Sequence, residues 1–357
     1  MKIVSIVGAR PQFIKVSVVS KELRKICHEI LIHTGQHYDF ELSKIFFQEL
    51  NIPEPDYNLD VGSGSHGLQT GEMLKRIEQV LIKEEPDFVL VYGDTNSTLA
   101  GALAAVKLHI PIVHVEAGLR SYDKSMPEEV NRILTDHCSD ILLCPTKNAV
   151  ENLKHEGIEK EVFLTGDVIV DALLNNIKIA EDNSNILEIL DLKTKEYLVA
   201  TIHREANTDN KENLKNIVDA FCEIDKLIVF PAHPRTVKFL KKFGFYEKLS
   251  KHIKLITPLG YIDFLKLLKH AKKIITDSGG IQKEAYILGV PCITLRDTTE
   301  WIETIEVGWN VLIESDREKI IQAVEEFEPT GSKGDVFGDG TASKKICKIF
   351  ENYLADW

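Results

Sequence analysis

The sequence predicts an α/β protein with two domains, each built around a doubly wound parallel sheet. Short apolar runs alternate with segments of helical periodicity along the chain, which is typical of parallel strands joined by helical crossovers. The length of 357 residues exceeds a single ordinary core and suits two domains. The alternation pauses at a polar run, 181–185, and then restarts, so this run is the predicted linker.

The order of these runs predicts the individual elements. In the first half, buried strands are expected at 3–7, 29–34, 88–92, 112–115 and 141–144, with a short edge strand at 163–164. Helices are expected at 12–25, 40–50, 68–83, 96–108, 128–137, 148–156 and 168–180. The second half predicts strands at 197–202, 227–230, 254–256, 273–276, 292–295 and 311–313. Ligands of such sheets bind at the carboxyl ends of strands, so the loops after strands are the candidate functional segments.

Composition excludes several classes of protein. The net charge of −12 and the absence of a Lys/Arg stripe argue against a nucleic-acid partner. No apolar run approaches the ~20 residues that a membrane-spanning helix needs, and Met1-Lys2 runs straight into a predicted strand, so we expect neither a membrane segment nor a signal peptide. The six cysteines include no C-x-x-C pair, which favours a reduced cytoplasm over disulfides or a zinc site.

The segment 276–285, Thr-Asp-Ser-Gly-Gly-Ile-Gln-Lys-Glu-Ala, is the most informative loop. A strand, a turn of small residues and a helix follow one another, so free backbone N–H groups and the helix dipole point at one place. Gly279 and Gly280 permit close approach of a phosphate, Ser278 adds a hydroxyl, and Glu284 can accept hydrogen bonds from sugar hydroxyls. The alternative for an isolated Ser-Gly-Gly is a well-capped βα unit.

The loop after the first strand, Gly8-Ala9-Arg10-Pro11, also indicates an anion site. Gly8 permits a tight turn, and Pro11 presets the first helical φ. Arg10 and Lys15 then lie near a helix N-terminus, where the dipole repels cations. Two cations at that end favour a bound anion between them and the dipole.

Acidic residues follow or begin three further elements of the first domain. Asp94 follows a strand and can act in the chemistry or cap the next helix. Glu116 ends the following strand, and an ion pair with Arg120 is the alternative to a functional role. Glu128 begins a helix, and an i, i+4 pair with Arg132 is its alternative.

Two histidines follow successive strands of the second domain. His203 and His233 each have an arginine nearby, which favours a phosphate-bearing ligand over a purely structural role. The chain has no P-loop, no G-x-G-x-x-G dinucleotide fingerprint, no H-E-x-x-H motif and no G-x-S-x-G elbow. We therefore expect no NAD and no metal cofactor.

Together these loops resemble those of a known family, the non-hydrolysing UDP-N-acetylglucosamine 2-epimerases, from the first strand to the last helix. No single motif is decisive, but their ordered set is specific. The motifs are Gly8-Ala9-Arg10-Pro11 with Lys15, Gly93-Asp94-Thr95, His114 to Arg120, Pro127-Glu128-Glu129 with Asn131-Arg132, Thr201 to Arg204, Thr276 to Glu284, Leu295 to Glu300 and Gly338-Asp339-Gly340.

The resemblance implies two Rossmann-like domains that face each other across a cleft, the glycosyltransferase-B type. It places the first domain at 1–167 and the second, UDP-binding domain at 168–339, with a last helix, about 340–357, returning to the first domain. It also implies a cytoplasmic homodimer in polysaccharide biosynthesis. The implied catalytic residues are Asp94, Glu116, Glu128 and His203. The implied substrate-binding residues are Arg10, Lys15, His233, Ser278, Gly279, Gly280 and Glu284.

The implied reaction interconverts UDP-N-acetylglucosamine and UDP-N-acetylmannosamine through loss and return of UDP. Arg, His and helix N-terminal donors would stabilise the departing diphosphate, and carboxylates would stabilise the cation and remove the C2 proton. A hydrolysing epimerase that releases UDP and N-acetylmannosamine is one alternative, and a glycosyltransferase of the same fold is another. Bacterial members of the family typically read His-Arg-Arg-Glu-Asn where this chain has His203 to Asn207, so one basic residue is missing.

Overall fold

The structure is a computed structural model that describes residues 1–36 and 52–355. The chain forms two compact units. The side chains of residues 10, 354 and 355, and the helix predicted at 40–50, lie outside this description. The first unit contains Met1–Leu174 and Asp335–Trp357, and the second contains Asn175–Gly334.

The first unit is built around a seven-stranded parallel sheet. Its strands are β1 (Lys2–Val7), β2 (His28–His33), β3 (Tyr57–Asn58), β4 (Phe88–Tyr92), β5 (Ile112–Val115), β6 (Ile141–Cys144) and β7 (Val162–Leu164). Their order is β3-β2-β1-β4-β5-β6-β7, so the direction of winding reverses between β1 and β4. The helices that follow are α1 (Arg10–Leu23), α2 (His66–Glu84), α3 (Asn96–Lys107), α4 (Pro127–Cys138) and α5 (Lys147–His155). Helix α6 (Val168–Asn183) begins in the first unit and ends in the second.

The second unit repeats this plan around a six-stranded parallel sheet. Its strands are β8 (Tyr197–Thr201), β9 (Leu227–Pro231), β10 (Lys254–Ile256), β11 (Lys273–Thr276), β12 (Cys292–Thr294) and β13 (Asn310–Leu312), in the order β10-β9-β8-β11-β12-β13. Winding therefore reverses between β8 and β11. The helices are α7 (Ile186–Ile189), α8 (Glu205–Thr208), α9 (Lys211–Glu223), α10 (Pro234–Lys242), α11 (Tyr246–Ser250), α12 (Tyr261–His270), α13 (Gly279–Leu288), α14 (Ile302–Glu306) and α15 (Arg317–Glu326).

The last helix, α16 (Ala342–Ala355), belongs to the first unit, where it packs against α1. Phe350 on this helix meets Phe88 at the start of β4 edge to face, with ring centroids 5.6 Å apart. At its start, the Asp171 carboxylate accepts hydrogen bonds from the backbone N–H groups of Ala342 and Ser343. The carboxyl-terminal helix therefore returns to the first unit, as the family resemblance implies.

Apolar strands and small helix residues hold the site-bearing ends of the first sheet in place. All five residues of β4, Phe-Val-Leu-Val-Tyr, are buried, which suits a parallel strand covered on both faces. Helix α3 is rich in alanine and packs between α2 and α4. A methyl group at Gly101 would lie 2.8 Å from Cδ1 of Ile6, so only glycine permits this close packing.

The fold class is confirmed, and three local differences from the predictions have physical reasons. β3 is only two residues long and therefore too short for a periodic signal. The predicted linker 181–185 is partly helical, because α6 continues to Asn183. The compact units divide at 174/175 and 334/335, whereas the resemblance implies 167/168 and 339/340; the first division is displaced because α6 is one continuous helix that crosses it. Within the described ranges, every helix is too short or too polar to cross a bilayer.

Candidate active site

In the first unit, the loops after β1 and β4 meet where the winding reverses, the usual ligand position in such sheets. Gln12, which the sequence reading passed over, joins these loops. Its Oε1 accepts hydrogen bonds from the N–H groups of Gly8 (2.8 Å) and Ala9 (3.0 Å), and its Nε2 donates to the carbonyl of Tyr92 (2.9 Å). The side chain is 1% exposed, so it holds the loop after β1 against the end of β4 in a fixed position.

Gly8 is required for space rather than for an unusual backbone angle. Its φ is not among the positive values of the described residues, so the turn that the sequence predicts here does not depend on the left-handed region. A Cβ at this position would lie 2.0 Å from Oγ1 of Thr34 and 2.2 Å from Oγ of Ser97. The loop after β1 therefore approaches the start of α3 more closely than any side chain would allow.

Lys15 and Glu116 form a buried ion pair at the strand ends. Lys15 Nζ contacts Glu116 Oε2, and the two side chains are 8% and 10% exposed. A methyl group at Gly93 would lie 2.9 Å from Lys15 Nζ and 3.8 Å from Glu116 Oε2, so the turn after β4 lies against this pair. The sequence predicts an anion beside Lys15, and the Glu116 carboxylate of the protein itself is one anion at that position.

Glu116 occupies a conformation that side chains rarely adopt. Its φ is +74°, in the left-handed region, where a non-glycine residue is strained by about 1–3 kcal/mol. The N–H groups of Glu116 and Ala117 both donate to the carbonyl of Leu143 at 3.1 Å, which holds the turn after β5. Arg120 bonds Asp136 and Glu156 instead of Glu116, so the simple ion pair considered from the sequence is not formed.

Asp94 is held by α4 as an ionised carboxylate. Arg132 Nη2 donates to Asp94 Oδ2 at 2.6 Å, and Asn131 Nδ2 donates to the Asp94 carbonyl at 2.9 Å. Thr95 caps α3, which leaves the Asp94 side chain free of that task. Partial removal from water would raise the pKa of Asp94, but the charges of Arg132 and Lys15 outweigh it and lower that pKa.

The neighbouring acids Glu128 and Glu129 have different environments. Glu129 is 1% exposed and accepts hydrogen bonds from the N–H groups of Ser121 and Tyr122, both at 2.9 Å. Arg132 also donates to Glu129, at 2.7 Å, and not to Glu128. Glu128 is exposed at the first turn of α4. Glu129 is therefore structural, and Glu128 is the acid that remains available to a ligand.

In the second unit, the loops after β9, β8 and β11 lie side by side because these strands are neighbours in the sheet. Thr201 Oγ1 and Thr276 Oγ1, at the ends of β8 and β11, are 2.7 Å apart. The reversal of winding between these two strands again marks the expected ligand position. The predicted residues His203, His233 and Ser278 to Gly280 all follow these three strands.

Asp277 organises the second unit's site, a role that the sequence reading did not assign. Its buried carboxylate accepts hydrogen bonds from the backbone N–H groups of His203 and Arg204 and from Asn207 Nδ2, at 3.0–3.1 Å. Burial would raise the pKa of Asp277, but these donors and the charge of His203 lower it. His203 Nδ1 lies 3.2 Å from Asp277 Oδ1, so this nitrogen carries the hydrogen and Nε2 points elsewhere.

His233 lies beside His203, with ring centroids 6.2 Å apart. Its Nδ1 accepts a hydrogen bond from the Arg235 N–H at 3.2 Å and so caps the first turn of α10. Burial, the His203 ring and the Arg235 charge lower the pKa of His233, which favours the neutral ring. With Nδ1 used as an acceptor, Nε2 carries the hydrogen and is a donor.

The Ser278-Gly279-Gly280 turn begins α13 as predicted. The Ser278 side chain makes no capping hydrogen bond, so its hydroxyl is not committed to the helix. A Cβ at Gly279 would lie 2.0 Å from Glu300 Oε1, whereas a Cβ at Gly280 would meet nothing closer than 3.9 Å. Glu300, held by Arg296 at 2.9 Å, therefore covers Gly279 and leaves Gly280 open. Glu284 is buried one turn further along the helix.

The structure thus gathers the predicted residues into two strand-end groups. Lys15, Asp94, Glu116 and the start of α4 meet in the first unit, and His203, His233 and the Ser278 turn meet in the second. Residues 1–36 and 52–355 contain no cluster of three or more His, Cys, Asp or Glu side chains suited to a metal. Gln12, Arg132 and Asp277 were missed as site residues, although Arg132 and Asp277 stand within motifs that the sequence analysis quoted.

Two parallel-sheet units with a returning carboxyl-terminal helix define a protein of the glycosyltransferase-B type. The family model described as UDP-N-acetylglucosamine 2-epimerase matches residues 21–351. The chain therefore belongs to the UDP-N-acetylglucosamine 2-epimerase family, whose members are isomerases, and the predicted membership is confirmed.

Individual relatives match over nearly their full length. A Methanococcus maripaludis protein named a UDP-N-acetylglucosamine 2-epimerase homolog is 58% identical over 99% of this chain and 100% of its own. A Pseudomonas aeruginosa UDP-2,3-diacetamido-2,3-dideoxy-D-glucuronate 2-epimerase is 47% identical over 99% of each chain. The crystal structure of Methanocaldococcus jannaschii UDP-GlcNAc 2-epimerase in complex with UDP-GlcNAc and UDP is 52% identical, covers 99% of this chain and 100% of its own, and superposes with a TM-score of 0.91.

Proposed function

We propose that this chain interconverts UDP-N-acetylglucosamine and UDP-N-acetylmannosamine by loss and return of UDP. Family membership supports the reaction class. The observation that carries the chemistry is the convergence of two carboxylates, each paired with its own cation, at the ends of adjacent strands: Asp94 with Arg132 and Glu116 with Lys15. Ionised acids are what a reaction through a sugar cation requires.

Departure of UDP comes first in this mechanism. The hydrogen at C2 of the sugar is not next to a carbonyl, so it cannot be removed directly at neutral pH. When the bond from C1 to the diphosphate oxygen breaks, UDP takes the electron pair and C1 gains oxocarbenium character. Asp94, Glu116 and Glu128 are proposed to stabilise that cation, which acidifies the C2 hydrogen.

Proton transfer then gives a neutral intermediate. One of the three carboxylates removes the C2 proton and leaves 2-acetamidoglucal beside UDP. A proton returns to C2 from the opposite face, and the UDP oxygen adds again to C1, which completes the inversion. Lys15 is proposed to contact the sugar and to keep Glu116 ionised, so that this carboxylate can stabilise the cation or accept a proton.

The second unit is proposed to hold UDP in place throughout. His203, set by Asp277, and His233 would donate to the diphosphate. The N-terminus of α13, with Ser278, Gly279 and Gly280, would supply backbone N–H groups, and Glu284 would accept from the ribose hydroxyls. Retained UDP distinguishes this reaction from hydrolysis.

Epimerisation of UDP-2,3-diacetamido-2,3-dideoxy-D-glucuronate is a second candidate. The relative named for that substrate is 47% identical, close to the 52% of the structure bound to UDP-GlcNAc. Both sugars carry an acetamido group at C2, so the same acids can act on either. They differ at C3 and at the C6 carboxylate, so the ratio of kcat/KM for the two substrates decides between them.

Incubation with UDP-N-acetylglucosamine in D₂O, followed by NMR, tests the reaction. The expected result is UDP-N-acetylmannosamine with deuterium at C2 of both sugars. Free N-acetylmannosamine and UDP would instead support the hydrolysing reaction. Unchanged substrate, with turnover of the glucuronate substrate, would select the second candidate.

We further propose that the protein works as a cytoplasmic homodimer that supplies activated sugars for polysaccharide synthesis. The six cysteines support a reducing compartment, because none of them is paired in the described ranges. Burial raises the pKa of all six thiols. Analytical ultracentrifugation tests the dimer, and fractionation of the source cells tests the compartment.

A further inference from the structure

A buried histidine connects the two acid-bearing turns of the first unit. His114 lies on β5 with a side chain that is 0% exposed. Its Nδ1 is 2.7 Å from Asp136 Oδ1 on α4, and its Nε2 is 2.8 Å from the carbonyl oxygen of Gly93. Gly93 immediately precedes Asp94, and His114 is two residues before Glu116.

The Asp136 carboxylate is ionised and accepts every contact that it makes. Its Oδ2 accepts hydrogen bonds from the Gly118 N–H at 3.1 Å and from Arg120 Nη1 at 2.7 Å. Burial would raise the pKa of Asp136, but the charge and the hydrogen bond of Arg120, which do not depend on the state of His114, act to lower it. Asp136 therefore has no proton to donate to His114.

Both ring nitrogens of His114 must then carry hydrogen. A backbone carbonyl such as that of Gly93 can only accept a hydrogen bond, and so can an ionised carboxylate. A neutral imidazole has one N–H and one lone pair, so one of the two short contacts would place a lone pair against an oxygen. The geometry requires an imidazolium ion.

Nearby charges make a buried cation tolerable. Arg120 Nε and Nη2 bond the two carboxylate oxygens of Glu156 at 2.7 and 2.8 Å. His114 and Arg120 supply two positive charges, and Asp136 and Glu156 supply two negative charges. A buried network of this kind is stable only when its members are fully paired, as they are here.

The same network fixes both turns. Gly93 adopts φ +65°, its carbonyl is held by His114, and its N–H donates to the Val115 carbonyl at 2.9 Å. Gly118 adopts φ +80°, and its N–H is held by Asp136. A displacement of the His114 ring, or the loss of its hydrogen bonds, would therefore shift Asp94 on one side and the turn that begins with Glu116 on the other.

We propose that His114 is a permanently protonated positioning residue that sets Asp94 and Glu116 relative to each other for the reaction. This inference rests on the proposed function of those two acids. The charged groups around the ring come from several elements: Asp136 on α4, Arg120 after β5, which bonds Asp136, and Asp94 after β4. The His114 charge also helps to lower the pKa of Asp94.

Protonation is measured first, and independently of activity. Histidine labelled with ¹⁵N is observed by long-range ¹H–¹⁵N NMR from about pH 6 to about pH 9, a range that brackets the ordinary histidine pKa of about 6.5. The resonances are assigned by comparison with His114→Asn. Imidazolium shifts on both nitrogens throughout the range are expected. Conversion to a neutral tautomer within that range would overturn the proposal.

Two neutral replacements then separate the two hydrogen bonds. His114→Asn keeps a donor at the Nδ1 position for Asp136, and His114→Gln keeps one at the Nε2 position for Gly93. Each variant should lower kcat by on the order of 100-fold, because a displacement of Asp94 or Glu116 by about 1 Å has an effect of that size. KM is expected to change little, because the proposed UDP contacts lie mainly in the second unit.

A matched control and an independent binding measurement complete the design. His155→Asn, at the exposed end of α5, should keep the kcat of the unmodified chain. Wild-type kcat in folded His114→Asn or His114→Gln would overturn the positioning role. If the unmodified chain binds UDP but does not epimerise, the proposed function fails, while the NMR result still decides the protonation state.

Discussion

Arg132 Nη2 lies 2.6 Å from Asp94 Oδ2, which makes an arginine of α4 the direct partner of an acid on the turn after β4. The Arg132 side chain is 4% exposed, whereas that of Asp94 is 36% exposed. A rigid, buried cation therefore holds an acid that still reaches solvent and ligand. Lys15 likewise pairs with Glu116 on the next turn, although there both side chains are largely buried. The two acids are presented in fixed positions and in the charged state.

Replacement of Arg132 should change the pH dependence of the reaction. In Arg132→Gln the pKa of Asp94 rises, because its nearest cation is removed. If ionised Asp94 is needed, the acidic limb of the kcat/KM profile moves to higher pH, and kcat falls by about 100-fold. Arg132→Lys keeps the positive charge but loses the guanidinium group that bonds both Asp94 and Glu129. The acidic limb of its kcat/KM profile should therefore move less than that of Arg132→Gln. An unmoved limb in Arg132→Gln would show that Asp94 does not control it.

The adjacent pair Glu128 and Glu129 offers a matched comparison. Glu128→Gln should leave the unfolding temperature unchanged, because the side chain is exposed, yet lower kcat by roughly 10²–10⁴-fold if this acid acts in proton transfer. Glu129→Gln should lower the free energy of unfolding by about 1–3 kcal/mol, because the Ser121 and Tyr122 N–H groups and Arg132 lose a buried, ionised acceptor. Thermal melts and initial rates distinguish the two. Wild-type kcat in Glu128→Gln would remove Glu128 from the mechanism.

The strand-end loops could be predicted from sequence because they depend on local periodicity. An apolar run, a turn of small residues and an amphipathic segment are each visible within about ten residues. This was enough to place Asp94, Glu116, His203 and Ser278 at the carboxyl ends of strands. It also gave the fold class, since alternation of such units permits few topologies.

The partners of these residues could not be predicted, because they come from distant parts of the chain. Arg132 has Glu128 available one helical turn away, yet it bonds Asp94, 38 residues distant. Arg120 has Glu116 nearby, yet it bonds Asp136 and Glu156. Tertiary packing decides between local and distant acids, and a single sequence contains no signal for that choice. Asp277 was missed for the same reason, since its donors lie 70–74 residues away.

Asp277→Asn should weaken both stability and catalysis. The buried carboxylate accepts from two backbone N–H groups and from Asn207, and an amide would direct its own N–H group at one of these donors. We expect a loss of about 1–3 kcal/mol in the free energy of unfolding. The His203 ring also loses its Nδ1 partner, so kcat should fall in the variant that remains folded. Urea titration and initial rates measure the two effects, and the same substitution at an exposed position, Asp225→Asn, serves as a matched control.

The pH dependence of that stability difference follows from the sign of the shift. The pKa of Asp277 is lower in the folded protein, so ionised Asp277 stabilises the fold above the ordinary aspartate pKa of about 3.9. This contribution is lost as the pH falls from there through the lowered pKa. The difference in unfolding free energy between the unmodified chain and Asp277→Asn should therefore be constant near neutral pH and shrink in acid. A difference that grows in acid would contradict the assignment.

Gly279 and Gly280 should respond differently to the same added methyl group. In Gly279→Ala the Cβ would lie 2.0 Å from Glu300 Oε1, so Glu300 must move away from Arg296 and the unfolding temperature should fall. In Gly280→Ala the added Cβ would lie 3.9 Å from Ser278 Oγ, which is an ordinary van der Waals contact. The ligand-free variant should therefore be as stable as the unmodified chain. If the diphosphate approaches the backbone at this turn, the methyl group of Gly280→Ala blocks it, and the Kd for UDP rises. Calorimetric titration with UDP and thermal melts, run on both variants, measure the two effects. Unchanged UDP affinity in a stable Gly280→Ala would place the diphosphate elsewhere than at the start of α13.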